Sequence, residues 1–196
     1  MSQLPTVLPT RGNRLTRGIA RVLLRALGWR MEGSFPEVPK LVVIAAPHSS
    51  NWDFVIAILY VIALGIRVRF IAKQELFRGP MGWLMRWAGG TPVDRSAPRG
   101  VVEQVVDEIA RTPKIVLGIT PEGTRRYGAG FKSGFYRIAH DAGVPIVPGF
   151  LDWSRKAVGV MAPFTPTGEM EDDVRRIRAL YGTITRKDGR QMPTGE

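Results

Sequence analysis

Of the 2 histidines in the chain, one is placed for chemistry. His48 follows the apolar run Lys40 to Ala46 and precedes Ser49, Ser50 and Asn51, residue types that cap helix starts. Asp53 comes next after Trp52. Two residues at this separation on one helix would diverge by about 140°. They can meet only if His48 stands in the entry loop and Asp53 in the first helical turn, and the capping cluster puts the helix start between them. A neutral imidazole in that position is a general base. It takes the proton of a hydroxyl that is itself the nucleophile, while the carboxylate fixes the tautomer and steadies the imidazolium. The plainer alternative is a loop histidine beside an acid that favours a helix N-terminus. Spacing alone leaves both open. His140, in RIAHDAG, neighbours Asp141. Adjacent helix residues diverge, so it reads as a surface or packing residue.

A second candidate is Pro121-Glu122-Gly123-Thr124-Arg125, directly after the strand-like KIVLGIT. Gly123 permits close backbone approach to a ligand. Thr124 offers a hydroxyl, Arg125 a fork suited to phosphate, and Arg126 and Lys132 add charge nearby. The alternative is a surface turn with solvated arginines. A weaker third cluster, Gly89 to Arg95 (GGTPVDR), ends in another arginine able to meet a phosphate.

Alternating patterns supply the frame for these loops. Strands are expected at Lys40–Ala46, Val68–Ala72, Thr91–Val93, Lys114–Ile119, Pro145–Phe150 and Val158–Met161. Helices are expected at Asn51–Leu64, Met81–Ala88, Pro98–Arg111, 132–142 and Glu169–Tyr181. The fold class is α/β: a single domain with a mixed, largely parallel sheet flanked by helices. In such sheets ligands bind at the carboxyl ends of strands, where His48 and the Glu122 block stand. The domain is expected over 14–182, between flexible tails at 1–13 and 183–196. From Arg14 to Met31, Leu15, Ile19, Val22, Leu23, Ala26 and Leu27 recur at helical spacing among Arg14, Arg17, Arg21 and Arg25, with Trp29 near the end. This basic amphipathic helix suits an anionic lipid surface, with arginine stems snorkelling and Trp29 at the interface. It would equally suit packing of its apolar stripe on the domain.

Lys and Arg number 28 against 17 Asp and Glu, a formal charge of +11. The partner is therefore polyanionic: anionic lipid, a phosphorylated substrate or nucleic acid. There is no Cys, which excludes disulfides, thiolate metal sites and a Cys nucleophile, and fits a reducing compartment. No cleavable signal peptide is evident. The longest apolar stretch, Phe54 to Ile66, falls short of the ~20 residues that span a bilayer. The expectation is a protein at the cytoplasmic face of a membrane, peripheral or monotopic, with no transmembrane helix.

Together these pieces resemble the glycerolipid acyltransferase superfamily, the lysophosphatidic acid and glycerol-3-phosphate acyltransferases. Its H-x-x-x-x-D block is matched by His48 to Asp53. Its Gly-to-Arg block is matched by Gly89 to Arg95, its P-E-G-T-R block by Pro121 to Arg125, and its V-P-I-V-P block by Val144 to Pro148. KQELF, Lys73 to Phe77, is similar to the segment before the second block. The resemblance implies an O-acyltransferase that moves a fatty acyl group from acyl-CoA or acyl-carrier protein to a hydroxyl of a lysophospholipid or glycerol-phosphate-like acceptor. It makes His48 the general base and Asp53 its partner. Arg95, Glu122, Gly123, Thr124, Arg125 and Lys132 become acceptor-binding residues, with no metal and no cofactor beyond the acyl thioester. Pro47 and Thr120 depart from the Asn and Phe usual in lysophosphatidate enzymes, which opens the acceptor to other lysolipids, amino-acid-linked lipids and glycolipids.

A thioesterase using the same His48–Asp53 pair is the nearest rival. A Ser hydrolase lacks its G-x-S-x-G elbow. A nucleic-acid-binding module has the charge but no recognition helix, zinc finger or stacking aromatics.

Overall fold

A computed structural model of the protein describes residues 7–93, 100–122 and 130–192. Its centre is a 7-stranded sheet. The strands are β1 (Arg30–Glu32), β2 (Lys40–Ala46), β3 (Val68–Lys73), β4 (Gly90–Val93), β5 (Ile115–Ile119), β6 (Ile146–Asp152) and β7 (Ala157–Val160), in the order β1-β7-β6-β2-β5-β3-β4. All neighbouring pairs are parallel except β6 with β7. The expected α/β class is therefore what the chain adopts.

β2 is flanked in parallel by β5, with Ile44 opposite Ile119, and by β6, with Ala46 opposite Phe150. A strand buried on both faces reads as a continuous apolar run, and KLVVIAA is one. Val42, Ile44 and Ala46 face a core shared with α4 (Val101–Arg111), α5 (Gly134–Asp141) and α6 (Met170–Ala179). Leu41 and Val43 face the opposite core, shared with α1 (Arg14–Ala26) and α2 (Asn51–Leu64). The remaining helix, α3 (Gly79–Ala88), lies between a short 3₁₀ turn (Gln74–Phe77) and β4. It stops at Gly89, whose φ of +103° is left-handed; a Cβ there would meet the Val68 carbonyl at 2.2 Å.

α1 departs from expectation at its end. It stops at Ala26, Gly28 turns the chain with φ +78°, and β1 occupies part of the stretch read as helix. A three-residue strand is too short to show an alternation. Trp29 is not an interfacial residue: it is buried and packs edge-on against Trp153, with centroids 5.0 Å apart. Of the two orientations the periodicity allowed, the helix takes the one with its apolar stripe outward. α1 buries Ala20 and Leu24, and Arg21 Nε donates to the Ala63 carbonyl at the end of α2. Leu15, Ile19, Val22, Leu23 and Leu27 point to solvent, Leu15 with 69% of its surface exposed.

Both expected tails are packed where they are described. Leu8 is buried, and Thr10 bridges Ile66. Beyond 182, Ile184, Arg186 and Met192 are buried, and a turn closes through a Thr185–Gln191 bridge. Polar composition suggested fraying, but the buried side chains are spaced so that the turn presents them all inward. No helix among the described residues is long and apolar enough to cross a membrane.

Candidate active site

Three strands leave the sheet side by side at their carboxyl ends. β2 leads through a cis Ala46–Pro47 bond to His48, β5 leads to Pro121 and Glu122, and β6 leads to Trp153. Parallel pairing of β2 with both neighbours brings these loops to one edge.

His48 lies in the loop before α2, and Asp53 in its first turn, the arrangement their spacing required. Ser50 is the N-cap: its Oγ accepts from Trp52 N at 3.2 Å, while its own N–H donates to Asp53 Oδ2 at 2.6 Å. This capping box turns the Asp53 carboxylate back toward the loop. Ser49, the residue after His48, donates its N–H to the same oxygen, and its Oγ does so at 3.1 Å. Trp153 Nε1 donates to Asp53 Oδ1 at 2.8 Å. The carboxylate is 2% exposed and held against the backbone immediately following His48.

Glu122 is also 2% exposed. Its Oε1 accepts the His48 N–H at 3.2 Å, and Oε2 lies 3.8 Å from Arg186 Nη1. Burial pushes its carboxyl above the ordinary value. The His48 N–H and the Arg186 charge pull it back, and the Asp53 charge adds to the rise. The sequence placed Glu122 with the acceptor-binding residues. The structure buries its carboxylate and engages it with the backbone N–H of His48. Lys132 is exposed, and its N–H donates to the Pro121 carbonyl at 2.9 Å, so it stands at the base of the same loop. Arg95, Gly123, Thr124 and Arg125 lie outside the described residues; β4 ends at Val93 on the same side of the sheet, and Glu122 immediately precedes Gly123. His140 is exposed, 2.9 Å from Asp141 and stacked on Tyr136.

Trp153, Arg186 and Ser49 were not among the expected site residues. Trp153 follows a strand that runs to Asp152 rather than Phe150, and a longer strand would have marked it. Arg186 had no local signal, because what places it is the turn beyond α6.

Comparison with known proteins agrees with the motifs. The chain is 36% identical over 149 residues to the chloroplastic 1-acyl-sn-glycerol-3-phosphate acyltransferase BAT2 of Brassica napus, covering 69% of this chain and 41% of that one. It is 32% identical over 197 residues to the 1-acyl-sn-glycerol-3-phosphate acyltransferase of Cocos nucifera, covering 87% and 62%. The enzyme of that name from Haemophilus influenzae is 25% identical over 181 residues, covering 82% and 74%. The chain thus spans well under two-thirds of the Brassica relative. The fold is similar to the crystal structure of the 1-acyl-sn-glycerophosphate acyltransferase PlsC from Thermotoga maritima, with a TM-score of 0.60 at 19% identity, covering 85% and 75%. Residues 32–151, more than half of the chain, match the family model described as Acyltransferase, and the chain belongs to that family, within the glycerolipid acyltransferase superfamily.

Proposed function

We propose that the protein transfers a fatty acyl group from a thioester, acyl-CoA or acyl-carrier protein, to a free hydroxyl of a phosphate-bearing glycerolipid, a lysophosphatidate-like acceptor. His48 takes the proton from that hydroxyl as its oxygen bonds to the thioester carbonyl carbon. The carbon–sulfur bond then breaks, and the departing thiolate recovers the proton from the imidazolium. Asp53 steadies the imidazolium. Arg95, Thr124, Arg125 and Lys132 hold the phosphate end of the acceptor, Gly123 gives it room, and Glu122 serves the His48 loop. The observation that carries the reading is the clustering of the His48 loop, Asp53 and Glu122 at one sheet edge, within the segment that matches the family.

The same reading places the protein on an anionic membrane surface at its cytoplasmic side, where both substrates have apolar chains. The outward stripe of α1 supports this. Each large aliphatic side chain left in water forgoes about 1.5–3 kcal/mol of burial, and four in α1, with Leu27 at its C-cap, are so exposed. α3 adds exposed Met81, Trp83, Leu84 and Trp87, and Arg11 lies 4.4 Å over the Trp87 ring, joining the start of α1 to α3. Tryptophans and arginines around an apolar stripe suit a lipid headgroup layer.

The test is release of CoA or carrier-protein thiol with both donors, across glycerol-3-phosphate and a panel of lysolipids. Release that depends on an acceptor, with formation of its ester, is expected. Equal release of free fatty acid with and without acceptor would overturn the reading in favour of hydrolysis.

A further inference from the structure

Behind the His48 loop lies a charge that none of the motif blocks contains. Arg186 is 3% exposed, which leaves little of its guanidinium for a substrate phosphate. Its Nη1 faces Glu122 Oε2 at 3.8 Å, and its Nε lies 3.3 Å from Asp188 Oδ2. The turn that carries it is closed by Arg186 N to the Arg190 carbonyl at 2.8 Å and Met192 N to the Ile184 carbonyl at 3.1 Å. This turn docks on the site twice. Trp153 N donates to the Thr185 carbonyl at 3.0 Å, and Lys187 N donates to Ser49 Oγ at 3.3 Å. The Lys187 ammonium also sits 5.0 Å from the Trp153 ring.

We infer that Arg186 is a positioning residue for His48, acting through Glu122: it holds that carboxylate as the acceptor of the His48 N–H and so fixes the loop that carries the imidazole. The inference rests on His48 being the base, as proposed above. A hydrogen bond to an ionised acceptor is roughly twice as strong as one to a neutral acceptor. A buried carboxylate stripped of its cation becomes protonated. Among the described residues, the other groups facing Glu122 do not replace Arg186. Asp53 repels its charge, and the fully buried Tyr181, whose own hydroxyl is pushed up by burial and by that charge, donates toward the Gly149 carbonyl at 3.1 Å. The turn thus secures the loop on both sides of the imidazole: Glu122 holds the His48 N–H, and Lys187 holds the Ser49 hydroxyl.

The experiment compares wild type, R186M, R186K, E122Q and R186M/E122Q in steady-state transfer and in His48 amide hydrogen exchange by NMR without substrates, after circular dichroism on each. R186M is expected to lower kcat about 10-fold with both KM values little changed, and to speed His48 exchange about 10-fold, the loss of one charge-assisted bond. R186K should restore most of both, and the double variant should be no worse than E122Q. The kcat of R186M should go on rising with pH after that of the wild type has levelled off, as Glu122 ionises again. Unchanged His48 exchange in R186M, a raised acceptor KM with intact kcat, or multiplied losses in the double variant would each overturn the inference. If R186M does not fold, E122Q decides: faster His48 exchange supports the clamp and unchanged exchange overturns it. Exchange needs no turnover, so a wild type without acceptor-dependent transfer sinks the catalytic reading alone, while unchanged exchange sinks the clamp whatever the transfer rate.

Discussion

The indole N–H of Trp153 meets Asp53 Oδ1 at 2.8 Å, across 100 residues of sequence. One side chain at the end of β6 therefore sets the far side of a carboxylate whose near side is bonded to the backbone of Ser49 and Ser50. Trp153→Phe keeps an aromatic ring against Trp29 and removes only the donor. A hydrogen bond to a charged group contributes about 1.5–3 kcal/mol. The variant should lose about 10-fold in kcat with little change in KM. Full activity in steady-state assays would mean that the indole contributes packing alone.

Loss of the base should be the most severe change at the site. General-base catalysis contributes about 10²–10⁴-fold, so His48→Ala should lose at least that while keeping its circular dichroism spectrum and lipid binding. Asp53→Asn should cost less than His48→Ala. His140→Ala, an exposed position beside Asp141, should transfer at the wild-type rate. Near-normal transfer by His48→Ala would sink the assignment of the base.

The arginines of the motif blocks are assigned to binding rather than to the chemical step. Arg125→Ala and Arg95→Ala should raise the apparent KM for a phosphorylated acceptor about 10-fold and leave kcat nearly intact. Kinetics with acceptors that carry and lack phosphate check this, since only the first should respond.

Replacing Leu15, Ile19 and Val22 together by Ser should release the protein from vesicles containing anionic lipid. These side chains are exposed, so thermal unfolding should stay within about 0.5 kcal/mol of wild type. Sedimentation with vesicles at low and high salt separates the apolar contribution from that of the arginines, because only the latter is screened.

Acid stability should depend on Asp173. Burial alone would raise its carboxyl, but the N–H and hydroxyl of Thr167 and the Tyr136 hydroxyl, at 2.7, 2.9 and 2.7 Å, hold it below its ordinary value of 3.8. A depressed carboxyl stabilises the fold fully above its unfolded value, and that contribution fades as pH falls through the folded one. Asp173→Asn should cost about 1.5–3 kcal/mol at neutral pH and flatten the acid limb of Tm against pH. An acid limb identical to wild type would rule Asp173 out as its source.

Much of the frame could be read from the chain because local chemistry and global fold agree there. KLVVIAA is β-branched and two-faced. Ser49 to Asp53 carries its own capping box, so the start of α2 and the loop position of His48 followed from residue types alone. The remainder depended on tertiary context. Trp29 has the amphipathic character of an interfacial residue and is buried because β1 pairs with β7 and brings it onto Trp153. The residues beyond 182 are polar on average, yet Ile184, Arg186 and Met192 turn inward. Whether the apolar stripe of α1 faces in or out could not be decided by periodicity, which is the same either way. Contact of Arg21 with the end of α2 decides it.

α1 is moored at both ends. Before it, Arg11 N donates to the Gly65 carbonyl and Thr10 bridges Ile66; after it, β1 joins the sheet beside β7. A helix fastened in this way cannot unhinge and dive. Any surface that meets its apolar stripe meets a stiff keel, held at a fixed attitude to the sheet that carries the His48 loop.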